Sequence, residues 1–260
     1  MTAFLLLLLA QTDGSGVVEP PSPARVSVER TKASEFVDET LDDGRYWRFG
    51  SEKNGPVHVW SPRNLKRGAP IVIYLHGFFT DVDAAVREHR LTAQFRDSGR
   101  NALFIMPETR SGARDELLWP ELPRLFAEVE KRTRTKLPTG PIVLLGHSGA
   151  YKAIAGWLRE PRVTQVLLVD GLYGNEPDFE KWLDVAGNQL VLVSFETRLR
   201  SEWLSKKRKA VELDTLPWLY DELPMSTRTA PLVHIQSERV EHMQLVTEGR
   251  LIPWLLHAFR

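Results

Sequence analysis

The chain has 260 residues, with 34 Lys+Arg against 34 Asp+Glu and no Cys. The balanced charge excludes a protein that coats nucleic acid through global positive charge. The missing Cys excludes thiol catalysis, Cys-based zinc or iron–sulfur sites and disulfide scaffolds. With 42% hydrophobic and 26% charged residues, the composition is globular rather than disordered, and the length suits one large or two small domains.

The first feature in chain order is an apolar run, Phe4 to Ala10, followed by Gly-, Ser- and Pro-rich residues 11–24. The run is far shorter than the ~20 residues that span a bilayer. It has the length of a signal-peptide core, with no Lys or Arg before it. The expectation is a signal-like segment and flexible linker over 1–24 and a globular domain over 25–260. Location follows from that segment: periplasmic or secreted if it is a signal, cytoplasmic otherwise. No other run is long enough for a transmembrane helix.

From residue 25 onward, short β-like runs alternate with amphipathic stretches. Val57–Trp60 lies between a Gly-Pro turn and Ser61-Pro62. Ile71–Leu75 is apolar and β-branched throughout, the pattern of a strand buried on both faces. Similar runs cover Ala102–Met106, Ile142–Leu145, Val166–Val169, Leu190–Phe195 and Leu232–Ile235. Helical patterns fall between them, over about 82–98, 114–136, 149–160, 177–186, 199–213 and 240–259, with Pro253 expected to kink the last or start a turn in it. This alternation predicts a mostly parallel sheet of about eight strands with helices on both faces.

The most informative stretch is Gly146-His147-Ser148-Gly149-Ala150 at the end of the Ile142–Leu145 run. Gly-x-Ser-x-Ala is one methyl away from the nucleophile elbow Gly-x-Ser-x-Gly. A strand that turns sharply into a helix needs small residues two positions either side of the Ser, and Ala still qualifies. The turn presents the hydroxyl at a helix start, where developing negative charge is favoured. A second turn, His76-Gly77-Phe78-Phe79, follows the Ile71–Leu75 run. Together the two turns resemble the α/β-hydrolase superfamily.

That resemblance implies further roles. Ser148 is the nucleophile, and the backbone N–H groups of Phe78 and Gly149 form the oxyanion hole. His242, in the loop after Leu232–Ile235, is the base. Of the other histidines, His58 and His234 fall inside β-like runs and are expected to be packed, while His89 and His257 are expected to be solvated. The family's chain order is Ser, acid, His, and two strand ends between Ser148 and His242 carry an acid. Asp170 is preferred because a turn-like Gly171-Leu172-Tyr173-Gly174 follows it; Glu196 is the alternative. Gly77, His147, Tyr173 and Glu108 are the expected substrate-contacting residues, because ligands sit at the carboxyl ends of parallel strands.

The connection over 171–188 leaves no room for a large lid. A longer excursion over 197–230 holds Trp203, Trp218, Tyr220 and the basic run Lys206-Lys207-Arg208-Lys209. That run is a solvated helix face or a weak contact for an anionic surface. P-loop, dinucleotide and His-Glu-x-x-His patterns are absent, so no cofactor and no metal are expected. The resulting expectation is a serine hydrolase that cleaves a carboxylic ester through an acyl-enzyme. An amidase or peptidase is the nearest alternative, and a non-catalytic binding protein on the same fold is the alternative of another class.

Overall fold

The computed structural model describes residues 35–51, 53–109, 112, 116–216 and 223–259. The signal-like segment and linker expected over 1–24, and the aromatics Trp218 and Tyr220, lie outside the described residues. No helix among the described residues is long and apolar enough to cross a membrane.

Chain polarity is set by an antiparallel meander, β1 (Val37–Leu41), β2 (Gly44–Ser51) and β3 (Gly55–Pro62). Asp42 and Asp43 join β1 to β2 with φ of 49° and 62°. Two consecutive left-handed residues match the twist of a two-residue hairpin, and Asp tolerates that conformation. Gly44 follows because any side chain there would run into the Trp60 indole. From β3 the chain enters a parallel block built from β4 (Ile71–Leu75), β5 (Leu103–Pro107), β6 (Ile142–His147), β7 (Val163–Val169), β8 (Gln189–Ser194), β9 (Val211–Leu213) and β10 (Leu232–Gln236). The sheet order is β1-β2-β3-β5-β4-β6-β7-β8-β10-β9.

The expected mostly parallel α/β sheet is therefore present, with ten strands among the described residues rather than about eight. The strands beyond the seven apolar runs are β1, β2 and β9. β1 is largely exposed, and β9 is a three-residue edge strand inside what reads as the helix 199–213. Edge strands bury little and leave a weak hydrophobic signal.

Alternate residues of each central strand feed two cores. Ile71, Ile73 and Leu75 of β4 join one apolar cluster, and Val72 and Tyr74 join the other. The first cluster is covered by α3 (Leu122–Thr133), α4 (Tyr151–Trp157), α5 (Glu176–Leu183) and α6 (Arg198–Arg208). The second is covered by α1 (Val82–Glu88), α2 (Leu91–Asp97), α8 (Gln244–Thr247) and α9 (Leu251–Ala258); the short α7 (Met225–Arg228) precedes β10. The β7–β8 connection holds only α5, so no large lid lies there.

Helix boundaries differ from the periodicity where single residues interrupt it. Arg90, with φ of 51°, splits the expected helix 82–98 into α1 and α2. Lys209, with φ of 54°, ends α6 and frees Val211–Leu213 to pair with β10. α3 starts at Leu122 rather than 114, with Pro123 in the first turn, where a missing N–H costs nothing. The expected helix 240–259 becomes α8 and α9, and Pro253 sits in the first turn of α9 instead of kinking a longer helix.

Candidate active site

The carboxyl ends of β4, β6, β7, β8 and β10 bring the predicted residues to one edge of the sheet. β6 ends at His147, and Ser148 takes a left-handed φ of 53° before a tight turn over Ser148–Ala150 leads into α4. A left-handed serine is strained, and its surroundings show what holds it. A Cβ at Gly146 would collide with Ile154 and lie 3.0 Å from the Ala150 Cβ. A Cβ at Gly77 would stand 2.8 Å from the Ser148 Cβ, and one at Gly171 2.8 Å from the Ser148 carbonyl oxygen. Glycines from the β4 and β7 ends thus close on the serine from two sides. Ser148 itself stays half-buried.

Asp170 ends β7 with φ of 41° and is completely buried. Its carboxylate is cradled by the loop after β8. Oδ1 accepts from the Phe195 N–H at 2.9 Å, the Thr197 N–H at 2.9 Å and the Thr197 hydroxyl at 2.8 Å. Oδ2 accepts from the Glu196 N–H at 3.1 Å and from His242 Nδ1 at 2.6 Å. Burial alone raises a carboxyl pKa, but the His242 bond and the backbone N–H bonds outweigh it and hold Asp170 well below the usual carboxylate range. A charged acceptor on Nδ1 fixes that nitrogen as the protonated one, which leaves the Nε2 lone pair of His242 free for a proton.

Glu196 occupies the other strand end. Its side chain is 50% exposed, its Oε2 accepts from the Tyr173 hydroxyl at 2.7 Å, and it stands 3.9 Å from His242 Nδ1. Of the two acids, Asp170 makes the short bond to the imidazole. Tyr173 packs edge-on to His242 at 6.4 Å. Burial, with the Glu196 bond, raises the Tyr173 phenol pKa, so it stays neutral.

His147 is 3% exposed, so it supports the site from beneath rather than forming an open wall. Its ring lies 4.5 Å from that of His242, and its Nε2–H donates to the His242 carbonyl at 3.1 Å. His89 meets His147 edge-on at 6.4 Å and is itself buried, contrary to the solvated position expected for it. Burial pushes the pKa of His147 down to about 3 and that of His89 to about 4, so both are neutral near neutral pH.

Glu108 also turns inward and is buried. Oε1 accepts from His76 Nε2 at 2.7 Å and from the Thr109 N–H at 3.1 Å, and Oε2 accepts from the Val82 N–H at 3.0 Å. It therefore fastens both ends of the loop between β4 and α1. His76 Nδ1 donates to the Gly77 carbonyl at 2.8 Å. In a trans peptide the C=O and N–H point in opposite directions, so this bond turns the Phe78 N–H away from His76. The Phe78 ring lies against Gly149, where any Cβ would strike it. Phe79 takes φ of 65° and is 63% exposed beside it. No periodic pattern marks Glu108 or His147 as supports; the only sequence signal is that each lies next to a strand end.

Asp170, Glu196 and His242 could also be read as metal ligands, since one ligand atom from each lies within 4.8 Å of the others. The donor set fits poorly. Both Asp170 oxygens already accept N–H or O–H bonds, and the 2.6 Å His242 contact leaves no space for an ion between them. A cavity of about 1290 Å³ lined by Arg45, Trp47, Leu65 and Leu137 lies by the β1–β3 meander, and no predicted site residue lines it. In the basic run, Lys206 pairs with Glu202, Lys207 with Glu180 and Arg208 with Asp184, while Lys209 caps α6. The other expected core histidines are packed: His58 bonds Asp83, and His234 bonds Ser194 and Glu212.

No family model matches the chain, and no curated protein matches it. Solved structures do. An S-formylglutathione hydrolase from Agrobacterium tumefaciens is 12% identical, with a TM-score of 0.53 over 85% of this chain and 95% of that one. A fluorophosphonate-binding serine hydrolase from Staphylococcus aureus is 12% identical, with a TM-score of 0.55 over 82% and 98%. A ferulic acid esterase is 11% identical, with a TM-score of 0.53 over 87% and 98%. At these identities the likeness is one of fold, and it spans nearly the whole of each neighbour.

Proposed function

We propose that this chain is a serine hydrolase that cleaves a carboxylic ester through Ser148, His242 and Asp170. The single observation that carries the proposal is the fivefold-bonded, buried Asp170 carboxylate on His242 Nδ1, at the same sheet edge as a left-handed Ser148. A buried carboxylate held this firmly keeps an imidazole in one tautomer and stabilises the imidazolium that forms on proton uptake. A solved neighbour named as an esterase favours an ester substrate.

In the proposed reaction Ser148 Oγ attacks the ester carbonyl carbon while His242 Nε2 takes the hydroxyl proton. The carbonyl oxygen becomes an oxyanion, held by the Phe78 and Gly149 N–H groups; one such donor is worth about 2.7–4 kcal/mol. The intermediate then collapses. The bond to the leaving oxygen breaks, His242 returns the proton to it, and the acyl group stays on Ser148. Water attacks the acyl-enzyme by the same route and releases the acid. The left-handed turn gives the hydroxyl its exposure, and Gly77 lets the oxyanion loop approach it.

A fluorophosphonate probe tests this directly. Labelling of the wild type that disappears in Ser148→Ala, together with turnover of activated esters, is the expected result. Absence of labelling, or equal labelling of Ser148→Ala, refutes the proposal; turnover of aminoacyl amides without esters refutes the substrate class.

A further inference from the structure

Two carboxylates, not one, converge on His242. Asp170 Oδ2 lies 2.6 Å from Nδ1, and Glu196 Oε2 lies 3.9 Å from the same atom. They come from successive strand ends, β7 and β8, and their backbones are locked together: the Glu196 N–H donates to Asp170 Oδ2 at 3.1 Å, between the Phe195 and Thr197 N–H groups that hold Oδ1. Glu196 is not a loose surface acid. The hydroxyl of half-buried Tyr173 donates to Glu196 Oε2 at 2.7 Å, while the Tyr173 ring packs on His242. Among the described residues, the charged or titratable groups against the His242 ring are Asp170 and Glu196 beyond the ends of β7 and β8, Tyr173 in the loop before α5, and His147 beneath.

We propose that Glu196 is a reserve acid: a positioning residue, tethered by Tyr173, that shares the stabilisation of His242 with Asp170 and takes over Nδ1 when residue 170 carries no charge, as in Asp170→Asn. This rests on the serine-hydrolase assignment above for its kinetic consequence, though not for its structural one. The geometry gives the reason. Glu196 needs to advance only about 1 Å to bring 3.9 Å within charge-assisted hydrogen-bond distance. Its 50% exposed side chain has room to do so. A carboxylate this close to Nδ1 opposes the tautomer that an uncharged residue 170 would otherwise permit.

The test is a double-mutant cycle on the whole protein with Asp170→Asn and Glu196→Gln, read by the rate of fluorophosphonate labelling and by kcat and KM for an activated ester. Loss of the triad acid alone typically costs about 10⁴-fold in kcat. With a reserve acid, Asp170→Asn costs about 10- to 100-fold and the double variant falls to the full loss, while Glu196→Gln alone lowers kcat several-fold at unchanged KM. Equal fold effects of Glu196→Gln in both backgrounds overturn the proposal. A second readout is independent of catalysis: the hydrogen-bonded Nδ1 proton of His242 in the NMR spectrum. It persists in Asp170→Asn and is lost in the double variant; its absence from folded Asp170→Asn overturns the proposal even if the protein proves not to be a serine hydrolase. Should Asp170→Asn not fold, Glu196→Gln alone decides: a several-fold fall in kcat at unchanged KM supports the proposal, and an unchanged kcat overturns it.

Discussion

His89 and His147 make stability depend on pH in a way that can be worked out in advance. Both imidazoles are buried, at 3% exposure each. Burial, the largest cause, lowers His89 from 6.5 to about 4 and His147 from 6.5 to about 3. The Glu88 charge opposes the shift of His89 and the His76 charge adds to it. In the unfolded chain each titrates near its ordinary 6.5. Between that value and the folded one, the unfolded state therefore binds about one more proton per histidine. Stability is full above pH 6.5, falls as pH drops, and stops falling for each group at its folded pKa. One excess proton gives a slope of about 1.4 kcal/mol per pH unit, so going from pH 7 to 5 costs about 2 kcal/mol for each histidine. Urea unfolding at pH 7, 6 and 5 measures it. His89→Gln removes one titration and retains an amide for the Tyr74 hydroxyl, which now lies 3.2 Å from His89 Nδ1. The variant should be less stable at pH 7 yet lose about 2 kcal/mol less than wild type on acidification. Parallel pH dependences in the two proteins refute the reasoning.

Other perturbations follow from the same geometry. Gly77→Ala places a Cβ 2.8 Å from the Ser148 Cβ; overpacking of about 1–3 kcal/mol displaces the loop after β4, and under the proposed reaction kcat/KM for an activated ester falls at least about tenfold. His147→Phe keeps a ring against His242 but loses the 3.1 Å bond to its carbonyl, so the labelling rate falls while KM stays constant; an unchanged rate removes His147 from the support of His242. Glu108→Gln retains shape but weakens the bonds to His76 and the Val82 N–H. It lowers thermal stability by the equivalent of about 1–3 kcal/mol and reduces kcat more than it raises KM, as steady-state kinetics and calorimetry on one preparation will show.

The parts of the fold that the sequence announces are those where burial alone sets the pattern. Ile71–Leu75, Ile142–Leu145 and Leu190–Phe195 lie between two cores, so both faces are apolar and the run is continuous. The Ser148 elbow is legible for a steric reason: Gly146 and Ala150 must be small, and that constraint is written in adjacent letters. The hairpin at Asp42-Asp43 and the breaks at Arg90 and Lys209 are silent, because left-handed φ values at these residue types are chosen by tertiary packing and not by composition.

The same division runs through the site. Residues 142–150 by themselves determine a strand, a sharp turn and a serine at that turn, since all three are local consequences of size and β-branching. Choosing between Asp170 and Glu196 is not local. Both end apolar strands, and only the approach of the β8 loop to β7, which brings three N–H groups onto one buried carboxylate, makes Asp170 the partner of His242 and leaves Glu196 at 3.9 Å. His89 shows the reverse error for the same reason. Its charged neighbours Arg87, Glu88 and Arg90 describe a solvated helix, whereas the Arg90 turn carries it under His147. Sequence spacing sets which residues leave a strand end; only the assembled sheet sets which of them meet.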